Sequence, residues 1–470
     1  MAHRASNRDS LTDSSVQHPA TAAAERSRFI RDQLPVAGLF AGLDWRISPA
    51  PFFLDAGLAK ELETLGRVLH QFNRAVNLLY RRSVEGKQPR WVAEWLDRGK
   101  PPALVELQRS LAFKNDWPRV IRPDLLLTDS GFSITELDSV PGGIGLTAWL
   151  NKTYSHEVQS SEQSNGGHQG AAPVIGGPDG MLRGFEGIFG DAQRVHIVLS
   201  DESATYRPEM EWLAGQWQNS KFKVQSSKFN EFQPGEAVYR FFELFDLANV
   251  DNAKLIFELA GDKRIRLTPP PKTIFEEKLL FALLWNRNLR GFWRQELGEA
   301  FFQRLLKLVP YTWLVDPAPL PPHGAIPELN ITDWQQLKTF SHRERELILK
   351  VSGFSETAWG ARGVYLGSDL PSADWSAAVD LAVQHFDRSP FVLQRYEKPK
   401  IVEAHWFDFA SSELIRMEGR VRLCPYYFVH GAADAARAQL GGVLATICPA
   451  DKKIIHGMKD AILAPCSVVA

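Results

Sequence analysis

Residues 122–145 read RPDLLLTDSGFSITELDSVPGGIG, and they hold the side chains best suited to phosphate and metal chemistry in this chain. The segment opens on Arg122-x-Asp124, passes a polar turn at Asp129-Ser130-Gly131, and returns with Ile134, Glu136 and Asp138 at every second position. In an extended strand such residues share a face. The alternation therefore predicts that Ile134, Glu136 and Asp138 point one way, with a hairpin bringing Asp124 back beside them. Three carboxylates beside an arginine suit a hard divalent cation held against a phosphate, because Mg2+ takes oxygen ligands and a guanidinium grips phosphate oxygens in pairs. The same residues also suit a solvated hairpin with ordinary surface charge.

A second segment has phosphate chemistry of another kind. Residues 346–351 (ELILKV) form a strand candidate carrying Lys350, and residues 352–363 (SGFSETAWGARG) form a loop rich in Gly, Ser and Ala. A short strand at 364–367, a helix at 374–385 and a strand at 391–396 are expected to follow. Glycines let backbone N–H groups approach an anion, and lysine adds a point charge. No Gly-x-x-x-x-Gly-Lys-Ser/Thr occurs, so the loop is not a P-loop. A surface hairpin after an edge strand is the plainer reading of this segment alone.

Taken together the two segments resemble a known family. The strand–Lys–Gly-loop–strand–helix–strand order, ending in Leu393-Gln394-Arg395-Tyr396, resembles the ATP-lid half of an ATP-grasp enzyme. The Arg-x-Asp…Glu-x-Asp segment resembles that fold's magnesium-binding half. Here the metal half comes first, which is similar to the circularly permuted ATP-grasp group that includes glutathionylspermidine synthase-like ligases. In that group an Arg-x-Asp is followed, after eleven intervening residues, by Glu-x-Asn; here Asp124 and Glu136 are separated by eleven residues and Asp138 stands in the Asn position. The resemblance runs from about residue 119 to the C-terminus, with 195–271 matching the family's pre-ATP-grasp domain. The fold class it implies is α/β (α+β), a permuted ATP-grasp with a pre-ATP-grasp α/β domain and an N-terminal helical region.

Residue by residue, the resemblance assigns Asp124, Glu136 and Asp138 to Mg2+ and gives Arg122 the catalytic contact to the transferred phosphate or the acyl phosphate. Lys350 would hold nucleotide phosphates under a lid that includes Ser352, Gly353, Gly360 and Gly363. Gln394, Arg395 and Tyr396 stand where the family's hinge meets adenine, and Arg422 stands in an arginine-containing strand. A second phosphate-contacting lysine is expected near Trp285-Asn286-Arg287-Asn288-Leu289-Arg290, where none stands; Arg287 or Arg290 would replace it, or the contact is missing. The implied cofactors are ATP and Mg2+. The implied reaction is carboxylate activation by phosphoryl transfer, then displacement of phosphate by an amine, with small-molecule or peptide substrates. A kinase acting on a small molecule, and a degenerate nucleotide-binding or partner-binding scaffold, are the alternatives.

The elements that must position these residues are less distinctive. After Pro49-Ala50-Pro51, Leu54, Leu58, Leu62, Leu65, Leu69, Phe72, Val76 and Leu79 recur at three and four residues, one face of a long helix. A Trp-rich helical region follows at 91–111. Residues 155–177, rich in Ser, Gln and Gly, read as a flexible insertion whose His156 and His168 are loop residues. Strand candidates at 195–199 and 222–224, an apolar run at 238–247, and helices at 208–217 and 252–260 predict a small open α/β unit. That unit lacks a Gly-x-Gly-x-x-Gly turn, against a dinucleotide site. Arg240 within it reads as an edge-strand charge or a buried ligand contact. A long helix is expected over 274–308. The expected divisions are a disordered tail at 1–28, a helical and metal-binding part at 29–154, the insertion at 155–177, the α/β unit at 178–272, and the lid and remaining core at 273–470.

Bulk composition narrows the class. The chain has 470 residues, 44% apolar and 23% charged, with a formal net charge of −1, so it has no electrostatic footprint for nucleic acid or an anionic membrane. Three cysteines, Cys424, Cys448 and Cys466, are too few for a disulfide framework or a cysteine-based zinc site. No secretory leader or membrane span is expected, and a reducing cytoplasm is the expected home. The sequence leaves the oligomeric state open.

Overall fold

The computed structural model describes residues 18–35, 45–162, 173–218, 220–358, 362–455 and 459–469. It is a mixed α/β molecule built around three sheets. The largest, with seven strands, runs Phe52–Leu54, Ile462–Val468, Arg437–Pro449, Glu413–His430, Val120–Thr128 and Gly131–Asp138, with Ile401–Asp408 also paired to Glu413–His430. The hairpin from the first third of the chain is thus hydrogen-bonded to a strand near its end: Arg422 opposes Leu126 and Leu423 opposes Leu125.

The stripe of leucines forms the helix Ala56–Val84, which lays Leu62, Leu65, Leu69, Phe72, Val76 and Leu79 into the core against this sheet. It starts later than the apolar spacing predicts. Asp55 is its N-cap, the carboxylate accepting from Leu58 N at 2.8 Å, so Leu54 belongs instead to a strand parallel to Ile462–Val468. The helical region at 91–111 is two short helices, Arg90–Asp97 and Pro102–Arg109.

A four-stranded antiparallel sheet holds Lys350. Its order is Val364–Leu366, Leu347–Val351, Phe391–Arg395, Thr312–Leu314, and the helix Ser372–Gln384 packs Trp375, Ala378 and Val379 on one face. The third sheet is parallel, in the order Phe222–Ser226, Val195–Leu199, Ala237–Phe241, Arg266–Thr268. The chain leaves Val195–Leu199 for one side and then crosses to Ala237–Phe241 on the other. The crevice beyond the carboxyl ends of those two strands is therefore a topological switch point.

Three expectations need correction. The helix expected over 274–308 is broken into Thr273–Glu276, Leu279–Trp285, Arg287–Leu289 and Arg290–Leu308. Asn286 supplies one break by accepting from Asn288 N at 3.0 Å, and Gly298, at φ 72°, kinks the last piece. Secondly, Arg240 lies on a central strand and is fully buried, paired with Glu276 at 2.6 Å. Thirdly, helices occupy parts of both segments expected to lack structure: His18–Asp32 enters the tail, and Ile144–Glu162 runs on into the insertion. His168 lies outside the described residues. Among the described residues no helix is long and apolar enough to cross a membrane.

Candidate active site

The hairpin Val120–Thr128/Gly131–Asp138 pairs Arg122 with Asp138 and Asp124 with Glu136. Between Asp124 and Leu125 the register slips, so that Leu125 faces Ile134 and Thr135 is bulged out. This divides the alternating residues. Asp124, Glu136 and Asp138 line a cavity of about 220 Å3, whereas Ile134 turns with Leu125 into the hydrophobic core. The expectation that Ile134 shares the carboxylates' face is therefore wrong, because one extra residue exchanges the faces beyond it. The bulge also aims backbone: Thr135 O accepts from Lys350 Nζ at 3.2 Å.

Each of the three cavity carboxylates meets a cation. Arg122 is 2.9 Å from Asp138 and 3.2 Å from Asp124, and its Nη1 donates to Gly142 O at 3.0 Å. Arg422 reaches Asp124 at 3.1 Å from the neighbouring strand. Lys278 is 2.8 Å from Glu136 and donates to Ala358 O at 3.0 Å. Burial works against the Arg122 charge, yet Asp124 and Asp138 hold its pKa above the ordinary arginine value. Burial pushes the Asp138 carboxyl up, with Arg122 opposing. Cys424 is buried against Asp124 and its thiol is pushed up to about 12, the character of a packed residue and not of a nucleophile.

Lys350 enters from the antiparallel sheet. Its ammonium donates to Gln394 Oε1 at 2.9 Å, and Gln394 in turn donates to Thr312 Oγ1 at 3.0 Å. Burial lowers the Lys350 pKa to about 8, since two neutral acceptors compensate the lost water only in part. Lys278, equally enclosed, is held above the ordinary lysine value by Glu136. Ile348, Val364, Leu126, Tyr396, Ile454 and Ile455 give the same cavity an apolar stretch. The opposite wall follows the carboxyl ends of the two central parallel strands, with Ser200, Ser203 and Tyr206 after one and Phe242, Glu243 and Asp246 after the other. Glu243 is pushed well above the usual carboxylate range by burial, then by Glu276 and Asp138.

The remaining expected residues take other places. Ser352 is fully buried below the loop; its hydroxyl donates to Glu277 and accepts from Leu279 N at 2.8 Å. A Cβ on Gly353 would lie 2.3 Å from Glu276 O, so glycine there permits a close backbone approach. Gly363 packs against Val351, and Gly360 lies outside the described residues. Neither Ser352, Gly353 nor Gly363 lines the cavity. Tyr396 does, Gln394 acts through Lys350, and Arg395 turns outward to Glu328 at 3.2 Å. Arg287 and Arg290 do not line the cavity; Arg287 lies 3.9 Å from Glu328.

No lysine stands at 285–290, but one reaches the cavity from earlier in the chain. Lys278 stands directly before the apolar helix Leu279–Trp285 and reaches the hairpin from there. The sequence offers one signal for it, a charged triplet Glu276-Glu277-Lys278 ahead of an uninterrupted apolar run. Arg422 and Lys278 converge with Arg122 and Lys350 on the three carboxylates in one cavity, which Lys453 lines as well.

The fold has a solved counterpart. A glutathione synthetase-like effector from Globodera pallida, solved without ligand, superposes with a TM-score of 0.54, covering 96% of this chain and 97% of its own at 10% identity. The two share a fold. A protein described as a γ-glutamylcysteine synthetase from Methylobacillus flagellatus gives a TM-score of 0.39 at 11% identity, over 84% of this chain and 88% of its own. No family model matches the chain, and no curated protein matches its sequence.

Mg2+ is tested by the donors themselves. Asp124, Glu136 and Asp138 offer hard oxygens on one wall, the right chemistry for Mg2+. Yet among the described residues no three acidic, histidine or cysteine side chains are gathered closely enough to hold a metal. The carboxylates are instead matched one by one with Arg122, Arg422 and Lys278. A triphosphate entering with its metal would exchange partners, cations turning to phosphate and carboxylates to Mg2+.

Proposed function

We propose that the chain is an ATP- and Mg2+-dependent ligase that joins a carboxylate to an amine through an acyl phosphate, on a circularly permuted ATP-grasp fold. The observation that carries this reading is the convergence of Arg122, Lys278, Lys350 and Arg422 on Asp124, Glu136 and Asp138 in one cavity. Phosphoryl transfer needs positioning and neutralisation of charge more than covalent help, and no nucleophilic Ser or Cys is required. Lys350 and Lys278 would hold the nucleotide phosphates, and Arg122 the transferred group. Asp124, Glu136 and Asp138 would hold Mg2+, which supplies charge neutralisation between the phosphates. The apolar stretch around Ile348, Val364 and Ile455 suits a purine, and the switch-point wall suits the acid and amine. The hairpin precedes the Lys350 sheet in the chain while both face one cavity, which supports the permuted order.

Nucleotide binding without turnover is the second reading. It draws on the carboxylates' ion pairs and on Asp138 where the family pattern has Asn. Calorimetry with ATP and Mg2+ separates the outcomes when followed by phosphate-release assays over acid and amine pairs. Binding near the micromolar range (about −8 kcal/mol), lost in Glu136→Ala and Lys350→Ala, is expected. Release that needs both an acid and an amine supports the ligase. ADP formed without an amine, with a stable phosphorylated product and no free phosphate, points to a kinase. An absence of nucleotide binding by the folded parent ends the proposal.

A further inference from the structure

A second cavity, about 280 Å3 and sharing no lining residue with the first, lies between the chain at 113–119 and the edge strand Arg266–Thr268 of the parallel sheet. Its chemistry divides cleanly. Phe113, Ile188, Phe189 and Ile265 give an apolar floor, and Arg119, Lys263 and Arg266 bring positive charge, against Asp116 as the one lining carboxylate. Two of the three cations are matched: Arg266 with Asp191, 2.5 Å away, and Lys263 with Asp116 at 3.7 Å. Arg119 is not. Its guanidinium donates only to the carbonyls of Val429 and Gly431, and it forms no ion pair among the described residues. Burial accordingly lowers its hold on the proton, with Asp116 opposing.

The neighbourhood favours an anion. Trp117 lines the same cavity, and the Arg119 guanidinium lies over its ring at 5.9 Å, which keeps that charge beside the cavity. The surroundings are also strongly positive. His70, packed 5.7 Å from the Trp117 ring, is lowered to about 4 by burial and then by Arg74, Arg119 and Arg437.

We propose that this cavity binds a small molecule with an apolar body and an anionic head, a carboxylate or a phosphate. The head meets Arg119, with Lys263 at the rim, and the body lies on Phe113, Ile188 and Phe189. A guanidinium without a carboxylate partner has donors to spare for such a head. The strand carrying Arg122 and Asp124 begins one residue after Arg119, so the ligand would sit at the root of the acidic hairpin.

Calorimetry on the full chain tests this with phenyl phosphate and benzoate as probes and benzyl alcohol as the uncharged control. Saturable binding of one or both anions, weakened about tenfold by Arg119→Gln and unchanged by Lys350→Ala, is the expected result. Which of the two binds identifies the head group. Lys263→Glu is the safeguard, because that side chain is exposed, its reversal does not threaten the core, and it too must weaken binding. No saturable binding of either anion overturns the proposal. So does benzyl alcohol binding equally well, or anion binding that follows Lys350→Ala and ignores Arg119→Gln and Lys263→Glu.

Discussion

The hairpin at 120–138 and the loop at 352–363 approach the same cavity and use their polar groups in opposite ways. On the hairpin, Arg122, Asp124, Glu136 and Asp138 all reach the cavity wall. At the base of the loop, Ser352 is consumed by Glu277 and Leu279, and Gly353 is pressed onto Glu276. Beneath them lies a buried ion pair, Lys100 to Glu277 at 2.6 Å. A strand's hydrogen-bond ladder fixes the direction of each side chain in turn. A loop has no ladder, so its residues go where the packing beneath them requires. The same residue types therefore serve the ligand in one region and the scaffold in the other.

The largest effect that would sharpen this contrast belongs to Lys350. Replacing it with Met removes a buried ammonium facing the hairpin, and nucleotide affinity should fall about a hundredfold, ~2.7 kcal/mol. Calorimetry with ATP and Mg2+ reads this directly, and a fall under threefold would break the assignment. Lys278→Met should cost somewhat less, about thirtyfold, since Arg122 and Lys350 remain, while Arg287→Ala and Arg290→Ala should change affinity less than about twofold. If either arginine variant loses more than Lys278→Met, the role given to Lys278 has been misplaced.

The pH dependence follows from the same lysine. Burial holds the Lys350 pKa near 8, so its positive charge is complete below that value and lost as pH rises through it. Nucleotide affinity should decline above about pH 8, and the decline should flatten in Lys350→Met. An affinity that rises over that range would contradict the sign.

Ser352→Ala sharpens the other half of the comparison. It strands Leu279 N–H and one Glu277 oxygen, so denaturant unfolding should show a loss of about 1–3 kcal/mol, with nucleotide affinity retained in the folded protein. A large affinity loss at unchanged stability would return the serine to the nucleotide. Smallest is Arg395→Ala, an exposed pair with Glu328, which should shift stability by less than ~0.5 kcal/mol and leave nucleotide binding alone.

Legibility from the sequence followed the range of the interaction. Glu136 and Asp138 share the cavity as their alternation required, because a period of two is a local property of extended chain. Ile134 departed from it because the partner strand imposed a bulge that no local pattern records. The strand at 195–199 and the helix along 56–84 were legible from apolar periodicity, whereas the break at Asn286 depended on a single side-chain cap. The second cavity had no motif at all, since its floor and rim come from three separated stretches of chain.

What the sequence determined by itself was an acidic hairpin next to an arginine, a lysine at the end of a strand before a glycine loop, and an α/β pattern between them. Tertiary structure alone decided which charges meet. Arg422 reaches Asp124 across 298 residues of chain, and Lys278 crosses to Glu136 from the start of a buried helix. It also placed the carboxyl ends of the parallel strands opposite the hairpin. The physical reason is that side-chain direction along a strand or helix is set by neighbours a few residues away. The pairing of one element with another is set by the burial of their apolar faces together, which no single segment contains.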